Sequence, residues 1–254
     1  MTYFSVFFLV FCLGCLPSLA EPADPKAYLQ MIYENKGGYT IPKEEINTIL
    51  NEGGHPQYGE IPYDSAAHIL DDLKLSGHDV FYDLGSGVGK LVLQVSLTTP
   101  VKRSVGIELS ATRWKIAESC RKQLIADEHI ATGRDLIFLN QNIATANLSD
   151  ATICFISGIT FPPALIRSLM DRLGALGHDL RVMSVLGLPP HPQFTLVKTY
   201  NVPMSWYPKG VDVCLYQVSS SLAIPKKLQK QNRKEQQAAG GGFSSQHNDQ
   251  SATL

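Results

Sequence analysis

From Asp79 onward, short apolar runs alternate with longer stretches whose apolar residues recur every three or four positions. The runs "DVFYDL", "RSVGIEL", "DLIFLN", "ATICFIS", "LRVMSVL", "FTLVKTY" and "VDVCLYQV" predict seven strands. Helices are predicted at "GKLVLQVSL", at the long amphipathic stretch "ATRWKIAESCRKQLIADEHI" and at "PPALIRSLMDRLGAL". Ser110 is placed to cap the second of these, and proline opens the third, where its missing N–H costs nothing. Uniformly apolar strands alternating with helices predict a mainly parallel sheet covered on both faces. The last two strands are separated by "NVPMSWYPKG", too short for a crossover helix, so they should form an antiparallel hairpin.

Upstream, residues 22–60 read as two short helices broken at Gly37-Gly38 and Gly53-Gly54. "YDSAAHILDDLKL" then sets Ala66, Ala67, Leu70 and Leu73 along one helical stripe. The two ends differ from the body. Phe4 to Leu16 is a compact apolar run closed by Pro17, and "SLA" ends at Ala20 with the spacing of a signal peptidase site. The expectation is a cleaved signal, with a membrane anchor as the rival. The rival needs roughly 17–25 apolar residues, and "MTY" lacks the basic residues of a usual signal. Past Pro225 the chain is polar and rich in Gly, Gln and Ser, and should be disordered. The expected segments are 1–20 signal peptide or anchor, 21–57 helical cap, 58–221 catalytic domain and 222–254 basic tail.

Bulk numbers change this picture little. A length of 254 residues, a formal net charge of −1 and 44% hydrophobic content suit one sizeable core. They give no whole-chain signature of nucleic-acid or membrane-surface binding. The histidines have no metal or triad spacing. Cys120, Cys154 and Cys214 are scattered without CxxC spacing, which gives no zinc site, and Cys154 and Cys214 lie in apolar, strand-like runs, so buried thiols are expected there.

The chemistry sits in "DLGSGVGK", Asp83 to Lys90, between the first strand and its helix. Glycines there permit a tight turn and close approach of a ligand at the carboxyl edge of the sheet. The dinucleotide fingerprint G-x-G-x-x-G fails, because the third glycine, Gly89, comes one residue early. The P-loop also fails, because Leu91 stands where a hydroxyl is needed. G-x-G-x-G behind an acid is the class I S-adenosylmethionine arrangement. Asp83 would sit near the positive end of that ligand. Glu108, ending the second strand, can accept from both ribose hydroxyls.

Beyond this loop, "QYGEIPYDSAAHILDDLKLSGHDVFYDLGSGVGKLVLQV" and "MSWYPKGVDVCLYQV" resemble the non-SET histone lysine methyltransferases, the disruptor-of-telomeric-silencing family. The resemblance covers roughly Tyr58 to Val218. It implies a Rossmann-like α/β fold: a seven-stranded class I methyltransferase sheet with a C-terminal antiparallel hairpin and a small N-terminal helical cap. It implies S-adenosyl-L-methionine as cofactor, a histone lysine in the nucleosome as acceptor, and a role in chromatin. Tyr58, Gly59 and Glu60 would close over the methionine end. Phe81, Asp83, Leu84, Gly85, Ser86, Gly87, Val88, Gly89 and Lys90 would form the main loop, and Glu108 would hold the ribose.

The chain departs from the family at several places. Asn142 and Ile143 stand where the family brackets adenine with an acid and a Phe. Ser157, Gly158 and Ile159 replace an N-N-F motif beside the lysine channel, and Val213 takes the place of a channel tyrosine. Trp206 and Tyr207 would line the acceptor entrance or pack the hairpin. Lys226, Lys227, Lys230, Arg233 and Lys234 would supply sequence-independent contact with nucleic acid, or only a solvated tail. No metal is implied, and membrane contact only through the leader. The leader points to export, with delivery into a host cell as one form of it, or to anchoring, whereas a histone acceptor points to the nucleus.

Overall fold

The structure, a computed structural model, describes residues 22–219. The expectations of a leader over residues 1–20 and of a disordered basic tail past residue 222 lie outside the described residues.

The chain enters through helix α1 (Pro25–Ile32), capped by Asp24, whose side chain accepts from Ala27 N at 3.0 Å. Helices α2 (Lys43–Asn51) and α3 (Tyr63–Leu73) follow. The sheet is then built from β1 (Val80–Leu84), β2 (Arg103–Glu108), β3 (Asp135–Asn140), β4 (Ile153–Ile156), β5 (Leu180–Val185), β6 (Phe194–Met204) and β7 (Tyr207–Val218). Helices α4 (Lys90–Thr98), α5 (Ala111–Ala126) and α6 (Pro163–Gly174) connect them, with a 3-10 turn at Gly158–Thr160.

Strand order is β3-β2-β1-β4-β5-β7-β6, with β1 to β5 parallel and β7 antiparallel to both β5 and β6. The order reverses beside β1, which pairs with β2 on one side and β4 on the other. An open α/β sheet leaves its crevice at that switch point, outside the carboxyl ends of the strands. Strand β1 is buried along its whole length because it is covered on both faces. Phe81 joins the core with Val92 and Leu93 of α4. Val80, Tyr82 and Leu84 join the opposite core with Leu169 and Leu173 of α6.

Three local expectations are revised. The buried stripe of α3 runs through Ala66, Ile69, Leu70 and Leu73, and Ala67 lies at its margin. The hairpin is antiparallel, but "NVPMSWYPKG" is not a connection. The strands continue until Met204 pairs with Tyr207, and only Ser205 and Trp206 turn. Helix α5 buries Arg113, Ala117, Cys120 and Leu124, so its inner face begins with a charged residue rather than an apolar one.

Cys120, Cys154 and Cys214 are buried free thiols. Burial raises the pKa of Cys120 and pushes that of Cys154 up to about 12, which disfavours the reactive thiolate. No helix of the described residues is long and apolar enough to cross a membrane.

Candidate active site

The glycine loop leaves β1 at Leu84 and re-enters helix at Lys90. Gly87 has φ +56 and lies under the Tyr58 ring, so a Cβ there would run into that ring. Gly89 has φ +86 and starts α4 against Phe138 and Ala117.

The loop spends its donors inward. Gly85 N and Ser86 N both donate to Ile107 O, at 2.9 and 3.0 Å. Gly87 N donates to Glu108 Oε2 at 2.8 Å and Gly89 N to Ser86 O at 2.9 Å. A phosphate cradle needs free N–H groups at this point. Here four of the five from Gly85 to Gly89, all three glycines among them, already have partners, so the loop suits a ligand that approaches it without phosphate.

Two carboxyl groups flank the loop. Asp83 is 4% exposed, and no hydrogen bond from the described residues reaches its side chain. Burial, with Glu108 adding to it, pushes its pKa up to about 8. A buried acid with no donor beside it is stabilised as the anion only when a cation arrives. Glu108 is 7% exposed and accepts one N–H on each oxygen, from Gly87 and from Ser110, both at 2.8 Å. Burial raises its pKa, and the Ser110 N–H, Arg113 and the Gly87 N–H oppose the rise. Two oxygens with about four lone-pair sites leave room for further donors.

Around these groups lie two adjoining cavities that share Tyr58, Gly59, Gly85, Gly87 and Ser157. The outer cleft adds Glu108, Asn142, Ile143, Phe161 and Trp206, and is closed from outside by Ile49, His55 and Gln57. The inner cavity adds Asp83, Ser86, Lys90, Phe155 and Met204. In its wall, Ser86 Oγ is buried without a hydrogen-bond partner. An unpaired acid beside a loop whose glycine N–H groups are all used fits a ligand with a cationic end and a phosphate-free body.

Tyr58, Gly59 and Glu60 form the lip between the cavities. Tyr58 OH donates to Glu60 Oε1 at 2.7 Å, and Lys90 Nζ pairs with Glu60 Oε2 at 2.8 Å. Glu60 N donates to Ser205 Oγ at 2.8 Å and Ser205 N to Glu60 O at 3.0 Å, which docks this segment on the β6–β7 turn. Trp206 lies flat against Gly59.

Not every expected site residue reaches a cavity. Phe81, Leu84 and Val88 are fully buried in the core, where they support the loop from behind. Val213 is fully buried too, paired with Val185 and Tyr200, so it lines no channel. Its inward register in the hairpin and short side chain keep it there. Gly158 heads the 3-10 turn behind the cleft wall, packed on Ile166 and Ile156. Tyr207 is exposed and outside both cavities. Asn142 does border the cleft, but its amide is committed: Nδ2 donates to Glu52 O at 3.0 Å and Oδ1 accepts from Ala144 N at 2.9 Å.

Phe161 and Arg113 belong to the cleft and escape the motif reading. Phe161 follows β4 at the carboxyl edge and rests on Gly85, where a Cβ would meet its ring at 3.0 Å. Arg113 is an arginine at the head of a buried helical stripe, and that oddity is visible in the heptad-like spacing of α5.

Residues 47–203 match the protein family described as Histone methylation protein DOT1. The hairpin turn at Ser205-Trp206 lies beyond that span. A Drosophila melanogaster protein named histone-lysine N-methyltransferase, H3 lysine-79 specific, is 26% identical over 186 residues, covering 66% of this chain and 9% of its own length. A Caenorhabditis elegans protein of the same name is 32% identical over 139 residues, covering 50% of this chain and 14% of its own. The chain thus spans about a tenth of the length of these curated relatives. Among solved structures, an RNA methyltransferase from Salinibacter ruber, in complex with S-adenosyl-L-homocysteine, superposes with a TM-score of 0.50 at 21% identity. That match covers 65% of this chain and 97% of the other, and shows a common fold. With more than half of its length matched, the chain belongs to the DOT1 family of histone methylation proteins.

Proposed function

We propose that the chain is an S-adenosylmethionine-dependent protein lysine N-methyltransferase whose acceptor is a histone in the nucleosome. The observation that carries it is the pair of buried carboxyl groups, Asp83 and Glu108, flanking a loop whose three glycine N–H groups are already used. When bound, the cofactor supplies a methyl group on a cationic sulfur. In this reading Glu108 holds the ribose hydroxyls in the outer cleft. Asp83 faces the aminoacyl end in the inner cavity, with Ser86 in the wall beside it. Asn142 and Ile143 border the base, with Phe161 as a further apolar wall.

The chain's part in transfer is placement and dryness. Tyr58, Gly59 and Trp206 close the lip and exclude water, and Phe155, Met204 and Ser157 offer a mostly apolar approach for the acceptor. An apolar approach lowers the pKa of an incoming lysine, so that its amine arrives neutral. Holding the amine in line with the methyl group accounts for most of the acceleration such a site can give. Residues 21–57 act as the cap and 58–221 as the catalytic domain. The basic stretch Lys226 to Lys234 adds salt-dependent contact with nucleosomal DNA.

A histone acceptor requires a compartment that holds both the cofactor and nucleosomes, such as the nucleus. Export through residues 1–20 agrees with that only if the chain is delivered into another cell. N-terminal sequencing of the native protein decides between the two. The function itself is tested by transfer of tritiated methyl groups to nucleosomes, free histones and a whole lysate. Label confined to nucleosomes or histones is expected. Label elsewhere only, or cofactor binding without label, sinks the assignment.

A further inference from the structure

Arg113 is 4% exposed, yet it reaches two main-chain carbonyls far away in the sequence. Its Nε donates to Gly38 O at 2.9 Å and its Nη2 to Pro56 O at 2.6 Å. Its guanidinium carbon lies 4.8 Å from the centre of the Tyr58 ring. Between those two carbonyls runs the segment that bears α2; it gives Ile49, Gly54 and His55 to the outer wall of the cleft, and Gln57, Tyr58 and Gly59 follow directly beyond it. One side chain therefore clasps both ends of the strap that closes the cleft.

Two lesser ties act on the middle of the same strap. Glu45 of α2 accepts from the Ser110 hydroxyl, from Thr112 N at 3.0 Å and from Thr112 Oγ1 at 2.6 Å, at the N-terminus of α5. Asn142 holds Glu52 O at the other end of α2. Both sit on the surface side. Only Arg113 is buried beneath the strap and also lines the cleft.

We propose that Arg113 is a positioning residue, which fastens Gly38 and Pro56 and so sets the closed strap and the pose of Tyr58 over the bound donor. This rests on the reading of the cleft as the donor site. The two carbonyls, with the ring stacked between, need the planar fork of a guanidinium. A lysine ammonium at the same place is a point charge and cannot hold both while stacking. Arg113 acts through the strap, so its loss should open the cleft without emptying the sheet of order.

The test titrates wild-type, Arg113→Lys and Arg113→Gln chains with S-adenosylhomocysteine by calorimetry. Stopped flow times its release, and hydrogen exchange maps the amides. Both variants are expected to release the product at least ten-fold faster at unchanged stoichiometry. Faster exchange should be confined to residues 38–57, with β1 to β5 still protected. Unchanged release and exchange in Arg113→Lys, or loosening spread over the whole sheet, overturns the assignment. Should either variant lack a cooperative melt, the wild-type protein decides. Product binding must then slow exchange across 38–57 as one block, and no slowing there overturns the clasp. A wild-type chain that binds no S-adenosylhomocysteine refutes the donor reading instead, and the clasp is still judged from exchange in the variants.

Discussion

Asp83 and Glu108 lie at the carboxyl ends of neighbouring parallel strands, and Glu108 adds to the cost of charging Asp83. Asp83 pairs in register with Gly106, two residues before Glu108. Glu108 has two N–H donors to hold its charge, whereas Asp83 has none from the described residues. The asymmetry leaves Glu108 as the fixed acceptor and Asp83 as the group that waits for a cation.

For Asp83 the consequence is a pH dependence of definite sign. Its pKa is raised above the unfolded value of 3.8 to about 8, so the folded chain holds an extra proton between those limits. Its contribution to stability therefore falls as pH rises through that window. Thermal melts of the cofactor-free chain should drop from pH 5 to pH 8, and Asp83→Asn should flatten the drop. Binding of the cationic donor should tighten over the same range and release roughly one proton per site near pH 6.5. Calorimetry in buffers of different ionisation enthalpy measures that proton; its absence would mean that Asp83 does not meet the cation.

Glu108 should be costly to replace for two separate reasons. Glu108→Ala removes the acceptor proposed for the ribose and strands the Gly87 and Ser110 N–H groups. We expect a loss of roughly 1–3 kcal/mol in stability. Affinity for S-adenosylhomocysteine should fall at least ten-fold. Denaturant melts and calorimetry check the two effects independently.

Gly87→Ala should damage the site through backbone and contact together. At φ +56 the new Cβ is strained and would also displace Tyr58. About 1–2 kcal/mol of stability should be lost, and donor binding should weaken with it. Gly37→Ala is the control: nothing lies within 4 Å of its Cβ position, and its φ is not in the left-handed region. A Gly87 variant that binds as well as the Gly37 variant would refute the tight packing of Tyr58 on the loop.

Glu45→Ala should loosen α2 from α5. Burial raises the pKa of Glu45, but the Ser110 and Thr112 hydrogen bonds outweigh it, and the net shift is downward from 4.5. A depressed acid stabilises above its unfolded pKa and loses that stabilisation as pH falls through the folded one. The variant should therefore melt below wild type at pH 7, by about 1 kcal/mol on the scale of a lost helix cap. The difference should vanish towards pH 3, which paired melts at the two values would read.

The strands were legible because a doubly covered sheet demands unbroken apolar runs. The glycine loop and its two acids were legible because a strand end and its turn are set by neighbours in the chain. Even errors in the local reading were small: α3 buries Ile69 where Ala67 was expected, a rotation of less than a turn. The hairpin connection was drawn over residues 201–210, too long around the turn at Ser205-Trp206, because Pro203 and Pro208 look like loop residues and yet sit in strands, beside a register shift between Val202 and Met204.

Arg113 and Val213 mark where such reading ends. Nothing within a few residues of Arg113 says that its partners lie 75 and 57 positions away. Nothing beside Val213 says that a hairpin register turns it into the core. Short-range periodicity and turn chemistry are enough to specify the β/α order, the loop and the two acids that flank it. The strap over the cleft, the Arg113 contacts beneath it and the walls of the two cavities come from segments that meet only after the sheet has formed. Such contacts depend on three-dimensional packing and leave no periodic trace in the chain.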